Sequence, residues 1–340
     1  MESSTVNDID EVLHRVRTVV DPALRAAVDR LDNPIMRRVA GYQMGFVDAD
    51  GQTADAGGKA MRPAFTVLAA EAMGAPAEQA VPAAVAVELV HNFSLLHDDV
   101  MDRDVVRRHR PTGWVVFGEG QAILAGNAML VAAIEVLREA DADACVPVLL
   151  TAIQELIAGQ SDDLDLEGRE QVTVEDVLSM EAGKTAALLA CATAIGAVAA
   201  GADRESVELL HAFGHDVGIA FQLVDDILGI TGDPARTGKS SSSDIRANKR
   251  SAPIVAALNG TNDAAVQLGE MLGSGPLVAD EDVQLAGKLV AEAGGLDFAS
   301  DQADAHLATA MASLDTLAAR HDAPMQPLAA LARYVVDRDR

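Results

Sequence analysis

Long apolar stretches alternate with short turns of Gly, Pro and charged residues along the chain. This punctuation predicts helices over residues 7–31, 34–47, 62–74, 77–102, 119–139, 143–160, 174–201, 204–230, 251–260, 280–294, 299–319 and 325–337. The sequence has no alternating polar and apolar runs of the kind that form strands. Long helices without an obvious linker predict an all-α protein, a large single-domain helical bundle over residues 1–340.

Composition supports the helical prediction and narrows the function. Ala, the strongest helix former, is abundant, and aromatic residues make up only 3% of the 340 residues. The 52 acidic residues outnumber the 26 basic ones, and the formal net charge of −26 would repel a phosphodiester backbone. Nucleic acid is therefore not expected as a partner. An apolar fraction of 49% is too high for a disordered chain.

The sequence predicts a cytoplasmic protein without a membrane span. Its two cysteines are too few to staple a chain of this length, and the first residues lack the basic flank and apolar core of a signal peptide. The longest weakly polar run, residues 185–202, is rich in Ala and Gly. Such small side chains fit a closely packed buried helix better than lipid contact.

Acidic side chains gather at the end of the fourth predicted helix. Spacings of three, four and seven place His91, Asp98 and Asp102 on one helix face. Glu88 and Asp99 belong to the same cluster. Crowded carboxylates repel one another unless hard cations lie between them, and oxygen ligands on a rigid face suit Mg²⁺. The alternative interpretation is a solvated acidic helix end.

Four arginines follow within residues 103–110, among them Arg107 and Arg108. In a chain this acidic, such a cluster beside a face of carboxylates indicates a site for a polyanion. Metal would hold the polyanion on one side and guanidinium groups on the other. The alternative is an intramolecular patch of ion pairs.

A second acidic cluster ends the predicted helix 204–230. Gln222, Asp225 and Gly229 share one helix face, and Asp226 is adjacent to Asp225. We expect the two acidic faces, each closing a long apolar helix, to point across a cavity at the same ions. Metal ions held in this way stabilise a departing phosphate.

The polar segment 231–250 follows this second cluster. Its Gly, Pro and Ser content predicts a mobile, non-helical loop beside a functional site. The loop supplies Lys239, Asp244 and Lys249. We expect it to cover the site and exclude water when ligand binds.

Three shorter motifs add to the candidate site. Lys59 and Arg62 follow two glycines at a predicted helix start, where free N–H groups favour an anion. The segment 159–165 carries further carboxylates, and Lys184 follows Gly183 in an apolar helix. Each motif alone is typical of ordinary surface or capping, but their joint presence predicts a polyanion site.

These motifs, in this order, resemble those of the trans-type isoprenyl diphosphate synthases, or polyprenyl synthetases. The resemblance covers about residues 55–255, with the flanks compatible as additional helices. It implies the isoprenoid synthase type I fold, an all-α bundle around a deep central cavity. It also implies a homodimer that couples an allylic diphosphate to isopentenyl diphosphate using Mg²⁺.

The resemblance assigns roles to particular side chains. Six carboxylates would bind metal, with three Mg²⁺ ions in the site: Asp98, Asp99, Asp102, Asp163, Asp225 and Asp226. Four cations would neutralise the allylic diphosphate: Arg107, Lys184, Lys239 and Lys249. Four side chains would grip isopentenyl diphosphate: Lys59, Arg62, His91 and Arg108. Catalysis would fall to Lys184, Thr185, Gln222 and Lys239, with Thr185 and Gln222 stabilising positive charge at the ionising carbon.

Three positions depart from the family's pattern. Gly229 stands where the second Asp-rich motif usually has its third Asp, which predicts weaker metal binding or a specialised role. We expect activity to survive, because the first Asp is the expected ligand. Ala60 replaces a common Arg and His109 replaces a common Gly, and neither position is assigned a direct contact.

Product length depends on the side chains that precede Asp98 on its helix, since these face down the cavity. Phe93 is bulky, Ser94 is small, and the first motif has no inserted residues. This pattern resembles synthases of the archaeal type, which make C20 products. It predicts geranylgeranyl diphosphate, with farnesyl diphosphate as the second candidate. In the alternative interpretation, Phe93 is simply a core residue.

Two other functions are compatible with an all-α chain that carries the first Asp-rich motif. A class I terpene cyclase starts from one substrate, so Lys59, Arg62, His91 and Arg108 argue against it. A catalytically weak partner subunit of a prenyl synthase is suggested only by Gly229. The preferred primer, the pathway and any association with another protein stay open.

Overall fold

The computed structural model describes residues 2–169, 171–232, 243–273, 275 and 277–337. In chain order the α-helices are α1 (Glu2–Asp29), α2 (Pro34–Gln43), α3 (Met61–Ala72), α4 (Ala77–Met101), α5 (Gly113–Phe117), α6 (Glu119–Glu139), α7 (Val146–Glu167), α8 (Val174–Glu181), α9 (Ala187–Ala199), α10 (Arg204–Thr231), α11 (Ser243–Arg246), α12 (Ala252–Leu258), α13 (Asp263–Gly273), α14 (Asp280–Glu292), α15 (Gly295–Ala318) and α16 (Gln326–Asp337). The prediction of an all-α fold is confirmed.

Four further short elements lie among the described residues. A 3₁₀ turn at Asp143–Cys145 precedes α7, and a π-helix at Ala182–Ala186 joins α8 to α9. Strand β1 (Val106–Arg107) pairs antiparallel with β2 (Arg110–Pro111). Arg108 and His109 form the two-residue turn between these strands.

The observed helices follow the predicted ones, with identifiable differences. The sequence pattern misses α5 and α13, and α7 continues beyond residue 160 because Leu166 is buried near its end. The prediction that residues 231–250 exclude helix is wrong for α11. This four-residue helix forms where Ile245 enters an apolar cluster, an interaction that local composition does not reveal.

The chain forms two compact units, each made of several segments. Unit 1 comprises Met1–Ile153, Leu188–Gly214 and Ser313–Tyr334. Unit 2 comprises Gln154–Ala187, His215–Ala312 and Val335–Arg340. The single-domain organisation expected from the sequence stays a prediction.

In unit 1, α4 contacts α1, α3, α5 and α6. The helix is enclosed on nearly all sides, and Val87, Leu89 and Val90 are all 0% exposed. The acidic end of α4 lies close to α6 because Gly126 leaves room for the ring of His97. A Cβ at residue 126 would overlap that ring, so this close approach requires glycine.

Two apolar clusters lie among the described residues of unit 2. In the first, α8, α10 and α12 contribute Val177, Leu223 and Val255. In the second, Ile230 at the end of α10 and Ile245 on α11 pack with side chains of α12, α13 and α14. The second cluster therefore fixes α11 beside the last turn of α10.

Among the described residues, four helical segments are long and apolar enough to cross a membrane by length and composition alone. They are Ala77–Met101, Glu119–Glu139, Asp143–Glu167 and Val174–Ala199. In the most apolar 18 residues of the first and last segments, 67% of the residues are buried within the protein. In the other two segments the share is 39%. The absence of a membrane span and the cytoplasmic location stay predictions.

Candidate active site

The first acidic motif lies in the last turn of α4, where the helix dipole is negative. Asp98, Asp99 and Asp102 add carboxylates to this end, and the last turn has no basic residue to offset them. Asp98 is partly buried, Asp99 is 1% exposed and Asp102 is exposed. Positive charge from outside the helix is therefore needed at this position.

Asp99 obtains part of that charge from Arg107 on β1. Arg107 Nε donates to Asp99 Oδ1 at 2.6 Å, and its Nη2 lies 3.7 Å from Asp104 Oδ2. Burial raises the pKa of Asp99, and Arg107 acts in the opposite direction. Asp99 Oδ2 is buried and has no hydrogen-bond partner. One oxygen of Asp99 therefore anchors an arginine, and the other is left for a ligand.

The β1–β2 turn brings the second arginine of the motif over the glycine-rich segment. Arg108 and His109 have φ values of 50° and 60°, the left-handed conformation that a two-residue hairpin turn requires. A Cβ at Gly58 would lie 2.9 Å from Arg108 Nη1, so glycine permits this approach. The strain of two non-glycine residues in this conformation is typical of functional turns.

Arg62 and His91 form the next part of this cluster. Arg62 Nη1 lies 3.2 Å from His91 Nε2, and because a guanidinium can only donate, His91 Nε2 accepts. Burial lowers the pKa of Arg62 to about 10, with Glu88 acting in the opposite direction. Burial and the neighbouring arginines hold the pKa of His91 well below its usual range, so the imidazole is neutral.

The cluster of Arg62, His91 and Arg108 is suited to an anion. Arg62 Nε is buried without a partner. Glu88 accepts from Asn92 Nδ2 at 3.0 Å, and burial raises its pKa, which weakens it as a counter-charge. The cluster thus combines two guanidinium groups, a neutral imidazole and an unused buried donor. The oxygens of a diphosphate would accept hydrogen bonds from these donors.

Lys59 has a neighbour that the sequence pattern does not reveal. Its Nζ lies 3.3 Å from the hydroxyl of Tyr334 and 5.5 Å from the centre of that ring. Tyr334 is on α16, 275 residues away, and no local sequence signal connects the two. The ring limits where the Lys59 ammonium can lie.

In unit 2, a glycine contact brings Lys184 to Asp163. A Cβ on Gly159 would overlap the backbone of Gly183, so α7 and the π-helix meet backbone to backbone. Lys184 Nζ forms an ion pair with Asp163 Oδ2 at this crossing. A single π-helical turn within an otherwise α-helical segment is frequently found at functional sites.

A hydrogen-bonded chain links the π-helix to the second acidic motif. Thr185 Oγ1 donates to Gln222 Oε1 at 2.8 Å, and Gln222 Nε2 donates to Asp226 Oδ1 at 2.7 Å. The backbone N–H of Ala252 donates to Asp226 Oδ2 at 3.1 Å. Asp226 is 2% exposed and Asp225 is exposed. Asp226 therefore connects Gln222 on α10 to the start of α12, whereas Asp225 presents the accessible carboxylate.

Glu181 and Lys249 lie beside this chain. Burial and Asp226 raise the pKa of Glu181 well above its usual range, and its Oε2 is buried without a partner. Burial lowers the pKa of Lys249, but the carboxylates of Asp226 and Asp244 outweigh this effect, so the ammonium stays charged. The sequence pattern does not single out Glu181, although this residue closely precedes the Lys184-Thr185 pair.

The described residues fit Mg²⁺ as a partly ligated ion. In unit 1 the end of α4 offers carboxylate oxygens, which hard divalent cations prefer, and Asp99 Oδ2 is an unused buried acceptor. In unit 2, Asp225 offers an exposed carboxylate of the same kind. Within the described ranges, no three or more His, Cys, Asp or Glu side chains already surround one point. A bound metal would complete its shell with oxygens from water or from a diphosphate.

The remaining predicted site residues are Phe93 and Lys239. Phe93 is 5% exposed, and its ring meets the ring of His97 edge to face at 4.8 Å. Lys239 lies outside the described residues. Within unit 1 the structure brings together Arg62, His91 and Arg108, and within unit 2 it brings together Lys184 and Asp163.

Comparison with known proteins decides the family. The sequence pattern of the polyprenyl synthetase family matches residues 48–289. This stretch contains the motif-bearing region 55–255. The chain belongs to the polyprenyl synthetase family. The resemblance inferred from the Asp-rich motifs is therefore confirmed.

The relatives of this polyprenyl synthetase define its enzyme class. It is 42% identical over 335 residues to a (2E,6E)-farnesyl diphosphate synthase of Mycobacterium tuberculosis, covering 96% of this chain and 92% of that protein. It is 43% identical over 309 residues to a geranylgeranyl diphosphate synthase of the same species, covering 89% and 88%. Prenyl diphosphate synthases are prenyltransferases, so the predicted enzyme class is confirmed.

Solved structures agree with the fold of this polyprenyl synthetase. A polyprenyl synthetase from Streptomyces coelicolor A3(2) superposes with a TM-score of 0.91 at 47% identity. The match covers 96% of this chain and 99% of that chain. The two folds therefore correspond over nearly their whole length.

Proposed function

We propose that this short-chain prenyl diphosphate synthase condenses an allylic diphosphate with isopentenyl diphosphate. The observation that carries the proposal is the cluster of Arg62, His91 and Arg108, with its unused Arg62 donor. A diphosphate site of this kind is expected in an enzyme that binds a second diphosphate. A terpene cyclase, which starts from a single diphosphate, would have no use for it.

The chemistry needs an environment that stabilises a leaving diphosphate. The allylic C–O bond breaks and the diphosphate leaves with the electron pair. The π-bond of isopentenyl diphosphate then attacks the allylic cation, and a proton is lost to the released diphosphate. When bound to Asp98, Asp102 and Asp225, Mg²⁺ would supply positive charge for the departing group.

The chain's own residues support each part of this reaction. Asp99 orients Arg107, and Asp163 orients Lys184, so both cations are preorganised for an anion. Thr185 and Gln222 present a hydrogen-bonded pair of neutral dipoles. Neutral oxygen atoms at this point would stabilise a carbocation without forming a bond to it.

For the product, we favour geranylgeranyl diphosphate. The named relatives include farnesyl and geranylgeranyl diphosphate synthases at nearly equal identity, so the family alone leaves both lengths open. The pair Phe93 and Ser94 supports the longer product, because one aromatic side chain followed by a small one resembles the C20 pattern, whereas two aromatic side chains would suggest C15. Phe93 lies five residues before Asp98, its ring is held against His97, and the smaller Ser94 follows it.

For the assembly, we propose a homodimer that buries an apolar face of α6. Ile123, Leu124 and Val131 are large apolar side chains that are 40%, 48% and 55% exposed. A second copy offers the same surface, so a two-fold contact would cover both faces at once.

One assay with labelled isopentenyl diphosphate and Mg²⁺ tests the activity. The purified protein alone should extend C5, C10 and C15 primers to a C20 product, and chelation with EDTA should stop turnover. No turnover with any primer would favour the partner-subunit alternative. A hydrocarbon formed from geranylgeranyl diphosphate alone would favour a terpene cyclase.

A further inference from the structure

Gln160 on α7 has a buried amide group with no hydrogen-bond partner at either end. The residue is 7% exposed, and neither Nε2 nor Oε1 has a partner among the described residues. Burying an amide without hydrogen bonds is unfavourable, and native proteins rarely leave a buried polar group in this state. The amide of Gln160 therefore points to a group that the folded chain does not itself supply.

The neighbours of Gln160 on α7 contact the segment that carries Lys184. Gly159, which directly precedes Gln160, meets the backbone of Lys184 so closely that a Cβ there would overlap it. Asp163 follows Gln160 by three residues, a spacing that places both on one side of a helix. Asp163 also forms the ion pair with Lys184. The unpartnered amide therefore lies where α7 borders the candidate site of unit 2.

The other unpartnered buried side-chain atoms of the described residues support a functional origin. In unit 1 they are Arg62 Nε and Asp99 Oδ2, which belong to the candidate diphosphate and metal sites. In unit 2 they are Glu181 Oε2 and Ser251 Oγ, on the two segments that contact Asp226. Unpartnered groups in this part of the chain thus concentrate at the candidate active site, and the amide of residue 160 follows the same pattern.

Gln222 on α10 differs from Gln160 in the state of its amide. Gln222 Oε1 accepts from Thr185, and its Nε2 donates to Asp226, so both ends are engaged within the protein. The amide of Gln160 keeps a free carbonyl oxygen and a free N–H group. It can therefore offer its carbonyl dipole to a positive charge and its N–H to an anion without breaking a hydrogen bond in the protein.

The ionised allylic substrate has the matching polarity. When its C–O bond breaks, the diphosphate leaves with the electron pair and the carbon chain becomes an allylic cation, so the two form an ion pair. We propose that Gln160 is a further catalytic residue that presents its carbonyl oxygen to the allylic cation and its N–H group to the departing diphosphate. No bond forms to Gln160, and isopentenyl diphosphate consumes the cation. This inference rests on the proposed prenyl transfer and deepens it.

Gln160→Met tests the proposal, because methionine keeps the length of glutamine and removes both ends of the amide. Isothermal titration calorimetry of the full-length protein with Mg²⁺ measures two ligands separately. An ammonium analogue of the allylic cation, added with inorganic diphosphate, represents the ion pair, and a non-ionising thiolodiphosphate primer represents the unreacted substrate. Gln160→Met should weaken binding of the ion-pair mimic about 100-fold and leave binding of the thiolodiphosphate primer unchanged.

Stability and turnover provide two further measurements. Removing an unpartnered buried amide should raise the melting temperature of the ligand-free protein by about 2–4 °C, since no partner is left behind. The kcat should fall about 100-fold while KM for both substrates stays unchanged. Gln154→Met makes the same substitution at an exposed position of α7 and should alter none of these values. Gln160→Leu, also apolar and of similar volume, serves if the methionine variant unfolds.

The outcomes distinguish this inference from the proposed function. Wild-type affinity for the ion-pair mimic in folded Gln160→Met would overturn the catalytic role of Gln160. A lower melting temperature with unchanged turnover would do the same and make the amide a structural group. Prenyl transfer by the wild type would survive both results. A wild-type protein that neither binds the mimic nor consumes isopentenyl diphosphate would instead remove the proposed function, and the inference with it.

Discussion

Arg107 donates to a carboxylate oxygen of Asp99 across 2.6 Å, and this contact ties the β1–β2 hairpin to the last turn of α4. Asp99 is 1% exposed, whereas the Arg107 side chain is 30% exposed. The buried partner is the acid, so the arginine is what makes its charge tolerable. The contact therefore carries both stability and the placement of the arginine motif.

Removing Arg107 should destabilise the protein by about 2 kcal/mol, because Asp99 would be left as an unpaired buried charge. The loss is smaller than for a fully buried pair because solvent reaches part of Arg107. Equilibrium denaturation in urea measures the change. Combining Arg107→Ala with Asp99→Asn should recover part of the stability, since the neutral amide needs no counter-charge.

Arg103→Ala provides a matched comparison. Arg103 pairs with Glu119, but their side chains are 63% and 51% exposed. The loss should therefore stay below about 1 kcal/mol. If Arg103→Ala and Arg107→Ala cost the same, the buried Asp99 contact is not a major stabilising interaction.

The sequence predicts much of this site because its motifs are local. Adjacent residues on a helix point about 100° apart, and Asp225 and Asp226 accordingly differ, one exposed and one buried. Which of the two is buried depends on tertiary contacts, here the hydrogen bond from the backbone N–H of Ala252 to Asp226. Local pattern therefore locates the acidic pair but does not divide its roles.

Contacts between distant segments could not be predicted in the same way. Lys184 and Asp163 are 21 residues apart, and Lys59 and Tyr334 are 275 residues apart. Their approach depends on where glycines allow helices to touch, as Gly159 and Gly183 do. The short helix α11 likewise forms because Ile245 packs in the apolar cluster at the end of α10, and not because its own sequence favours helix.

His91 should make stability depend on pH. Its pKa is held well below the usual value by burial and by Arg62, Arg108 and Arg107. The unfolded chain therefore binds the proton more readily, and stability falls as pH drops below about 6.5. Between pH 7.5 and 5.5 this single group should cost about 1.4 kcal/mol.

Urea denaturation of the wild type and His91→Gln at both pH values measures the contribution. The glutamine variant keeps an acceptor for Arg62 but does not titrate. Its stability should fall less than that of the wild type by about 1.4 kcal/mol. Parallel losses in the two proteins would assign the pH dependence to other groups.

His109→Gly should stabilise the β1–β2 hairpin. His109 has φ of 60°, a conformation that costs a residue with a Cβ about 1 kcal/mol and glycine almost nothing. The melting temperature should therefore rise. His109→Ala removes the ring but retains the Cβ, so it should bring no such increase. A rise in both variants would trace the gain to loss of the imidazole.

Leu124→Glu should break the proposed dimer. Leu124 is 48% exposed on the apolar face of α6, so the charged substitution should not disturb the fold of one copy. Sedimentation equilibrium should show the wild type at twice the chain mass and the variant at the chain mass. Glu281→Ala, at an exposed position on α14, is the control and should stay dimeric. A dimeric Leu124→Glu protein would place the interface elsewhere.

Phe93→Ala should lengthen the product if Phe93 limits the space available to the growing chain. The side chain is 5% exposed and its ring meets the ring of His97 edge to face, so its removal leaves a cavity on α4. The same substitution costs about 3–5 kcal/mol if Phe93 serves only as core. Product analysis by chromatography, with labelled isopentenyl diphosphate, separates the two roles because stability alone cannot.

Phe93→Leu is the matched variant, since it retains apolar volume and most of the stability. Chain length should then increase in the order of the volume removed, with the leucine variant between wild type and Phe93→Ala. A folded alanine variant with an unchanged product distribution would make Phe93 a core residue. Side chains other than Phe93 would then limit the chain length of the product.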